Sequence, residues 1–277
     1  MDTKTPTTII AIANQKGGTA KTTTAEAFGV LMAKAGVRAH LIDMDPQASL
    51  TSAFGLADAE GRLYTAMSER GTLPIIEVAE NLTITPSSID LSRGETQFMA
   101  ETGRSRAATG SRSFRSIVLS SSCGSTIASP ATVLQTCLRK TDLPENTTII
   151  LDCPPSLGVL SINCLTAASH ICVVVQPGGF ELRTLVHLNE TVRLLQERIN
   201  PKLQVAGAVI TNCHKRRSIT EQVVQEVAGH YRVLGEVRAE ARILYATTSG
   251  KVYHLNRSKA LDDYGRATEQ LWLATRG

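Results

Sequence analysis

Apolar positions in this chain cluster into short, β-branched runs separated by amphipathic stretches. Thr7 to Ala13 is one such run and predicts a buried strand, because a strand covered on both faces shows no polar alternation. Polar, glycine-bearing residues 14–19 follow. Ala20 to Ala35 then reads as a helix closed by Gly36, and Arg38 to Asp43 as a second strand. This opening order is a βαβ unit with an expected right-handed crossover. Leu82–Thr85, Thr147–Asp152, Ile171–Gln176 and Leu203–Thr211 predict further strands. Leu185, Leu188, Val192, Leu195 and Ile199 recur at alternating intervals of three and four, which is one helix face. Pro201 stops that helix. Thr220–Ala228 and Ser258–Ala274 also read as helices. In the latter, Leu261, Tyr264, Ala267, Leu271 and Trp272 form a core-facing side. Alternating strands and helices predict an α/β fold: a doubly wound, mostly parallel sheet with helices on both faces.

Residues 104–132 break the pattern. They hold nine serines and little periodicity, and predict a loop or an atypical insertion. No linker composition appears elsewhere, so residues 1–277 are expected to form a single domain.

Composition narrows the class. With 42% hydrophobic and 19% charged residues, the chain can bury a large core, which excludes a disordered or collagen-like protein. No apolar run is long enough to span a bilayer, and MDTKTPTTII lacks a basic n-region followed by an apolar core. A cytoplasmic protein is expected. The six cysteines show neither CxxC pairs nor metal-ligand spacing and read as buried thiols. Net charge is +4 but unevenly spread. Residues 201–277 carry twelve Lys/Arg against seven Asp/Glu, whereas the remainder is nearly balanced. Such asymmetry suits a polyanion-binding face.

The strongest chemical signal follows the first strand. Lys16-Gly17-Gly18-Thr19-Ala20-Lys21-Thr22-Thr23 joins that strand to a helix. Glycines let the backbone wrap a polyphosphate, with the helix N-terminus adding partial positive charge. Lys21 is placed to neutralise terminal phosphates, and the Thr22 hydroxyl to ligate Mg²⁺. The usual GxxxxGK[ST] pattern is not met. A lysine, Lys16, precedes the glycine pair, and Ala occupies position 20. Two carboxylate-bearing strand ends point to the same crevice: Asp43-Met44-Asp45-Pro46-Gln47, and Asp152-Cys153-Pro154-Pro155-Ser156-Leu157-Gly158 after the apolar run Ile149-Ile150-Leu151.

These segments resemble the signature KGGxGK[ST][ST] and the switch regions of the ParA/Soj/MinD family of deviant Walker-A ATPases, with Ala20 in place of a family glycine. The resemblance covers nearly the whole chain outside 104–132 and points to the short, Soj-like type. It implies ATP and Mg²⁺ as cofactors, gripped by residues 16–23. Lys21 acts within the subunit and Lys16 reaches the partner's nucleotide in an ATP-sandwiched homodimer. Asp45 positions the attacking water. Asp152 holds the metal with Thr22, while Asp43 either approaches the metal or makes structural hydrogen bonds. No strong general base is recognisable, so slow, switch-type hydrolysis is expected. The resemblance further implies non-specific DNA binding by the ATP dimer, with Arg193, Lys215, Arg216 and Arg217 as contacts, and stimulation by a ParB-like partner. Nucleoid association follows from that reading. Acidic Asp262, Asp263 and Glu269 on the last helix argue against a MinD-like membrane helix. The rival readings are a small-carboxylate kinase or synthetase on a P-loop, and an iron–sulfur reductase of the same superfamily.

Overall fold

The protein is described from a computed structural model, covering residues 8–56, 62–101, 129–177, 182–214, 218–249, 252, 254–255 and 258–276. Its centre is an eight-stranded sheet among the described residues. In chain order the strands are β1 (Ile9–Ala13), β2 (Ala39–Asp43), β3 (Ile76–Ala79), β4 (Leu82–Thr85), β5 (Thr148–Asp152), β6 (His170–Val175), β7 (Gln204–Cys213) and β8 (Val233–Arg238). Their spatial order is β3-β4-β2-β5-β1-β6-β7-β8. Only the β3–β4 edge pair is antiparallel.

Period-two alternation sorts the strand side chains to opposite faces. Ala11 and Ala13 of β1 and Ile149 and Leu151 of β5 join one apolar cluster; Ile10, Ile12 and Ile150 join the other. The second face is covered by α1 (Lys21–Lys34) and by α10 (Lys259–Ala274), which supplies Leu261, Tyr264, Ala267 and Leu271. Tyr264 meets Phe28 edge to face, 6.1 Å between ring centres. The first face is covered by α3 (Arg62–Ser68), α4 (Leu91–Glu101), α5 (Val133–Lys140), α6 (Val159–Ala167) and α7 (Leu182–Arg198). Helices α2 (Ser49–Ala53), α8 (Ser218–Ala228) and α9 (Ala241–Thr248) complete the elements used below.

The expected doubly wound, mostly parallel sheet is present, and the expected strands fall within two residues of the observed ones. The face read on α7 is buried at Leu185, Leu188, Val192 and Leu195. Trp272 is only partly buried, with the Arg276 guanidinium 3.6 Å from its ring centre. One boundary differs. The expected loop or insertion over 104–132 runs too far, because Pro130–Thr132 forms a 3₁₀ turn leading into α5, with Ala131 fully buried. Ser129 caps that turn by accepting from Ala131 N–H at 3.2 Å. The remainder of that segment, 104–128, lies outside the described residues. Cys137, Cys153, Cys164, Cys172 and Cys213 are buried free thiols, as expected.

Candidate nucleotide site at the strand ends

Parallel strands put their C-terminal ends at one edge of the sheet, and here that edge carries the charges. β2 and β5 are neighbours in register, so Asp43 pairs with Asp152. The loop leaving β1 rises beside them and opens α1. Asn14 ties its root down: its side chain donates to Val174 O and accepts Lys16 N–H at 3.0 Å. Lys16 O then accepts both Thr19 Oγ1 (3.3 Å) and the Lys21 ammonium (3.1 Å). Thr19 O accepts the Thr211 hydroxyl from β7 at 3.0 Å. Gly18 sits at φ 72° and Ala20 at φ 64°. The left-handed conformation at 20 is the one a glycine would take without penalty; alanine holds it at about 1–2 kcal/mol. Thr24 helps by donating to Ala20 O at 2.7 Å while accepting from the Tyr264 hydroxyl at 3.1 Å.

Residues 17–23 line one wall of a cavity of about 480 Å³, with Asp45, Gln47, Ser49, Ser52, Pro155 and Thr247 opposite. A second lobe of about 590 Å³ shares Gly18, Ala20 and Thr23. It extends between Gln176, Thr211, Asn212 and the segment Val237–Ala241. Arg238, at its edge, is held by Asp263 through Nε at 2.6 Å and a second nitrogen at 2.9 Å.

The charged groups differ in how they are satisfied. Asp43 is fully buried and accepts Thr51 N–H (2.8 Å), Thr51 Oγ1 (2.7 Å) and Asp45 N–H (3.1 Å). It is a structural carboxylate pinning α2 to β2, which resolves the choice that the sequence left open. Asp152 is 1% exposed, yet neither oxygen has a hydrogen-bond partner. Burial chiefly, and Asp43 beside it, push its carboxyl well above the usual range; the Thr22 hydroxyl and Lys21 oppose this. Such an orphaned carboxylate beside a hydroxyl suits a hard divalent cation. Lys21 is nearly buried, and that desolvation lowers its pKa although Asp152 and Asp45 pull it up. Lys16 is exposed. Asp45 is half-buried in the loop after β2, and its Oδ1 accepts Gln47 N–H at 2.9 Å.

The structure thus brings residues 17–23 and Asp45 to one cavity, with Asp152 beside Lys21 and Thr22 and Lys16 exposed next to the cavity-lining Gly17. The basic residues are another matter. Arg193 is exposed on α7 and paired with Glu197 at 2.9 Å. Lys215, Arg216 and Arg217 lie outside the described residues. Two carboxylates that sequence reasoning missed, Glu26 and Glu95, also bear on the site. Glu26 is fully buried on α1, and both its oxygens lack a partner. Neither residue carries a local sequence signal, since its importance depends on contacts distant in the chain.

Comparison with known proteins agrees with this picture. The sequence model of a family described as an AAA domain matches residues 7–205. The chain is 33% identical over 235 residues to the chromosome partitioning protein ParA of Caulobacter vibrioides, covering 82% of this chain and 77% of that one. It is 34% identical over 229 residues to the sporulation initiation inhibitor protein Soj of Bacillus subtilis, covering 81% and 80%. Among solved structures, it is similar to one described as cobyrinic acid a,c-diamide synthase from Mycobacterium smegmatis with a bound ATP analogue and magnesium. That match has a TM-score of 0.72 and 26% identity, covering 95% of this chain and 93% of that chain.

Proposed function

This chain belongs to the ParA/Soj family of ATPases, and on that premise we propose that it is a nucleotide-gated partition switch acting as one domain. The observation that carries the proposal is a single loop with two lysines in opposite situations: Lys21 buried over the carboxylates, Lys16 exposed on the outer side. A triphosphate in the cavity of Gly17–Thr23 meets Lys21 in its own subunit. Lys16 is directed to the nucleotide of a second copy, so the dimer forms only when the terminal phosphate is present. The adjoining lobe at Gln176, Asn212 and Tyr264 takes the nucleoside.

The unpartnered Asp152 oxygens and the Thr22 hydroxyl would hold Mg²⁺, which supplies charge neutralisation at the phosphates. The chain's own residues do the remainder. Lys21 stabilises charge developing on the phosphates. Asp45, fixed by its bond from Gln47 N–H, orients the attacking water. Asp43 is committed to Thr51 and keeps the loop in place. With no strong base among these groups, turnover is slow, which suits a timer. The ATP dimer binds DNA without sequence preference through Lys215, Arg216, Arg217 and Arg193, and a ParB-like cargo adaptor accelerates hydrolysis. No helix among the described residues is long and apolar enough to cross a membrane.

DNA binding measured with ATP, with ADP and without nucleotide tests the switch. Tight, salt-sensitive binding with ATP alone is expected; equal affinity in all three states refutes it. A second reading, a carboxylate-activating synthase, is favoured by the likeness to the Mycobacterium smegmatis structure. It requires ATP turnover to rise with a small carboxylate substrate and not with DNA.

A further inference from the structure

The loop that carries Asp45 is bonded to a residue the proposed chemistry does not use. β4 runs parallel to β2, with Thr85 opposite Ile42. The strand ends there, because Pro86 has no N–H to continue the ladder. The next residue, Ser87, turns to the loop after β2 instead. It is 2% exposed and bonds there twice. Ser87 Oγ donates to Asp45 O and Ser87 N–H to Thr51 Oγ1, both at 2.8 Å.

These two bonds close a ring. Thr51 Oγ1 donates to Asp43 Oδ2 at 2.7 Å, Asp43 Oδ1 accepts Asp45 N–H at 3.1 Å, and Asp45 O returns to Ser87. The directions are fixed by chemistry. An ionised carboxylate only accepts, so the Thr51 proton goes to Asp43 and its lone pair takes Ser87 N–H. The Ser87 proton then goes to the Asp45 carbonyl. Asp45 is thereby held at both ends of its main chain, N–H by Asp43 and C=O by Ser87. Just before it, Met44 N–H donates to Asp152 O at 3.1 Å, which ties the root of the loop to β5. The loop needs this support. Asp45–Ala48 is a tight turn closed by Ala48 N–H donating to Asp45 O at 2.9 Å, and Ala48 sits at φ 52°. A left-handed alanine is strained and persists only where its surroundings fix it. Asp45 itself lines the phosphate cavity, whereas Ser87 stands behind it.

We propose that Ser87 is a positioning residue for ATP hydrolysis: its hydroxyl clamps the Asp45 carbonyl, so that the Asp45 carboxylate meets the attacking water in one orientation. The consequence for turnover rests on the reading of Asp45 as the water-orienting group; the clamp itself does not. Without the hydroxyl, the Asp45–Ala48 turn relaxes from its left-handed form and the carboxylate samples other directions.

The test combines amide hydrogen exchange with steady-state ATPase kinetics on the full chain and the variants Ser87→Ala and Ser87→Thr. Ser87→Ala deletes the hydroxyl and keeps the N–H to Thr51, so Asp43 and α2 stay tied. In that variant kcat should fall roughly five-fold, the worth of one neutral hydrogen bond, with KM for ATP unchanged. Exchange at the Ala48 N–H should rise by a similar factor as the turn loosens. Ser87→Thr keeps the donor and should recover most of both effects. Wild-type kcat in Ser87→Ala overturns the positioning role, and so does a loss of kcat that Ser87→Thr fails to recover. A rise in KM in place of a fall in kcat also overturns it, because that places Ser87 in ground-state binding. Unchanged exchange at Ala48 overturns the clamp. An Asp45→Ala variant that turns over ATP normally overturns the reading of Asp45 instead, while exchange in Ser87→Ala still decides the clamp.

Discussion

Replacing Glu26 by Met should make the protein more stable, and increasingly so as pH rises. Glu26 is fully buried, and its two oxygens have no partner. The neighbouring Thr247 hydroxyl spends its proton on Ile243 O at 3.0 Å. Burial first, and the Asp152 charge after it, raise the carboxyl from 4.5 to about 8. Because folding raises this pKa, the unfolded chain loses its proton first, and stability falls as pH climbs through the window from 4.5 to about 8. Each unit is worth about 1.4 kcal/mol, so the penalty is roughly 3 kcal/mol at pH 7 and approaches 5 above pH 8. Methionine has similar length and no charge to bury. Urea denaturation of both proteins at pH 5, 7 and 9 measures the difference directly. The advantage of Glu26→Met should be small at pH 5 and grow to several kcal/mol at pH 9, with a Tm gain of roughly 6–12 °C near neutrality. A difference that stays flat with pH would refute the reasoning.

The opposite pH dependence is expected at His40. Its two nitrogens meet Thr83 Oγ1 (2.8 Å) and Thr85 Oγ1 (3.0 Å), and burial lowers its pKa to about 4. The unfolded state therefore takes up a proton first on acidification, and roughly 3 kcal/mol of stability is lost between pH 6.5 and 4. A His40→Gln variant should show a shallower acid limb in the same denaturation series. Ala20→Gly should change global stability by less than about 1 kcal/mol, because relief of the left-handed backbone offsets the added freedom of the unfolded chain. Ala20→Val, β-branched at the same φ, should lower Tm clearly. Lys21→Ala should abolish ATP binding by calorimetry. Asp45→Ala should accumulate an ATP-bound dimer visible by light scattering, and normal turnover in that variant contradicts the water-orienting role.

The parts legible in sequence share a cause. β1, β5, β6 and β7 are rich in β-branched residues and largely buried, β2 is buried throughout, and α7 has one clean apolar stripe bounded by Pro201. Elements without periodicity were missed. Every residue of α6 is buried, so it shows no stripe to read. β8 is only partly buried, is broken by Gly235 and lies at the sheet edge. The phosphate loop was legible because backbone geometry and charge are both encoded within residues 16–23. The division of labour between Asp43 and Asp152 was not. It depends on Thr51 reaching Asp43 from α2, which leaves the neighbouring Asp152 bare. Glu26 and Glu95 acquire their character only from residues far along the chain.

The central claim is that the terminal phosphate is held by Lys21 from its own subunit and by Lys16 from the other. Sedimentation of wild type and Lys16→Ala with a non-hydrolysable ATP analogue, beside calorimetric nucleotide binding, tests it most directly. Wild type should be a monomer with ADP and a dimer with the analogue. Lys16→Ala should bind the analogue with nearly the same affinity and remain a monomer. A Lys16→Ala protein that dimerises as wild type does, or a wild type that stays monomeric when saturated with analogue, contradicts the account.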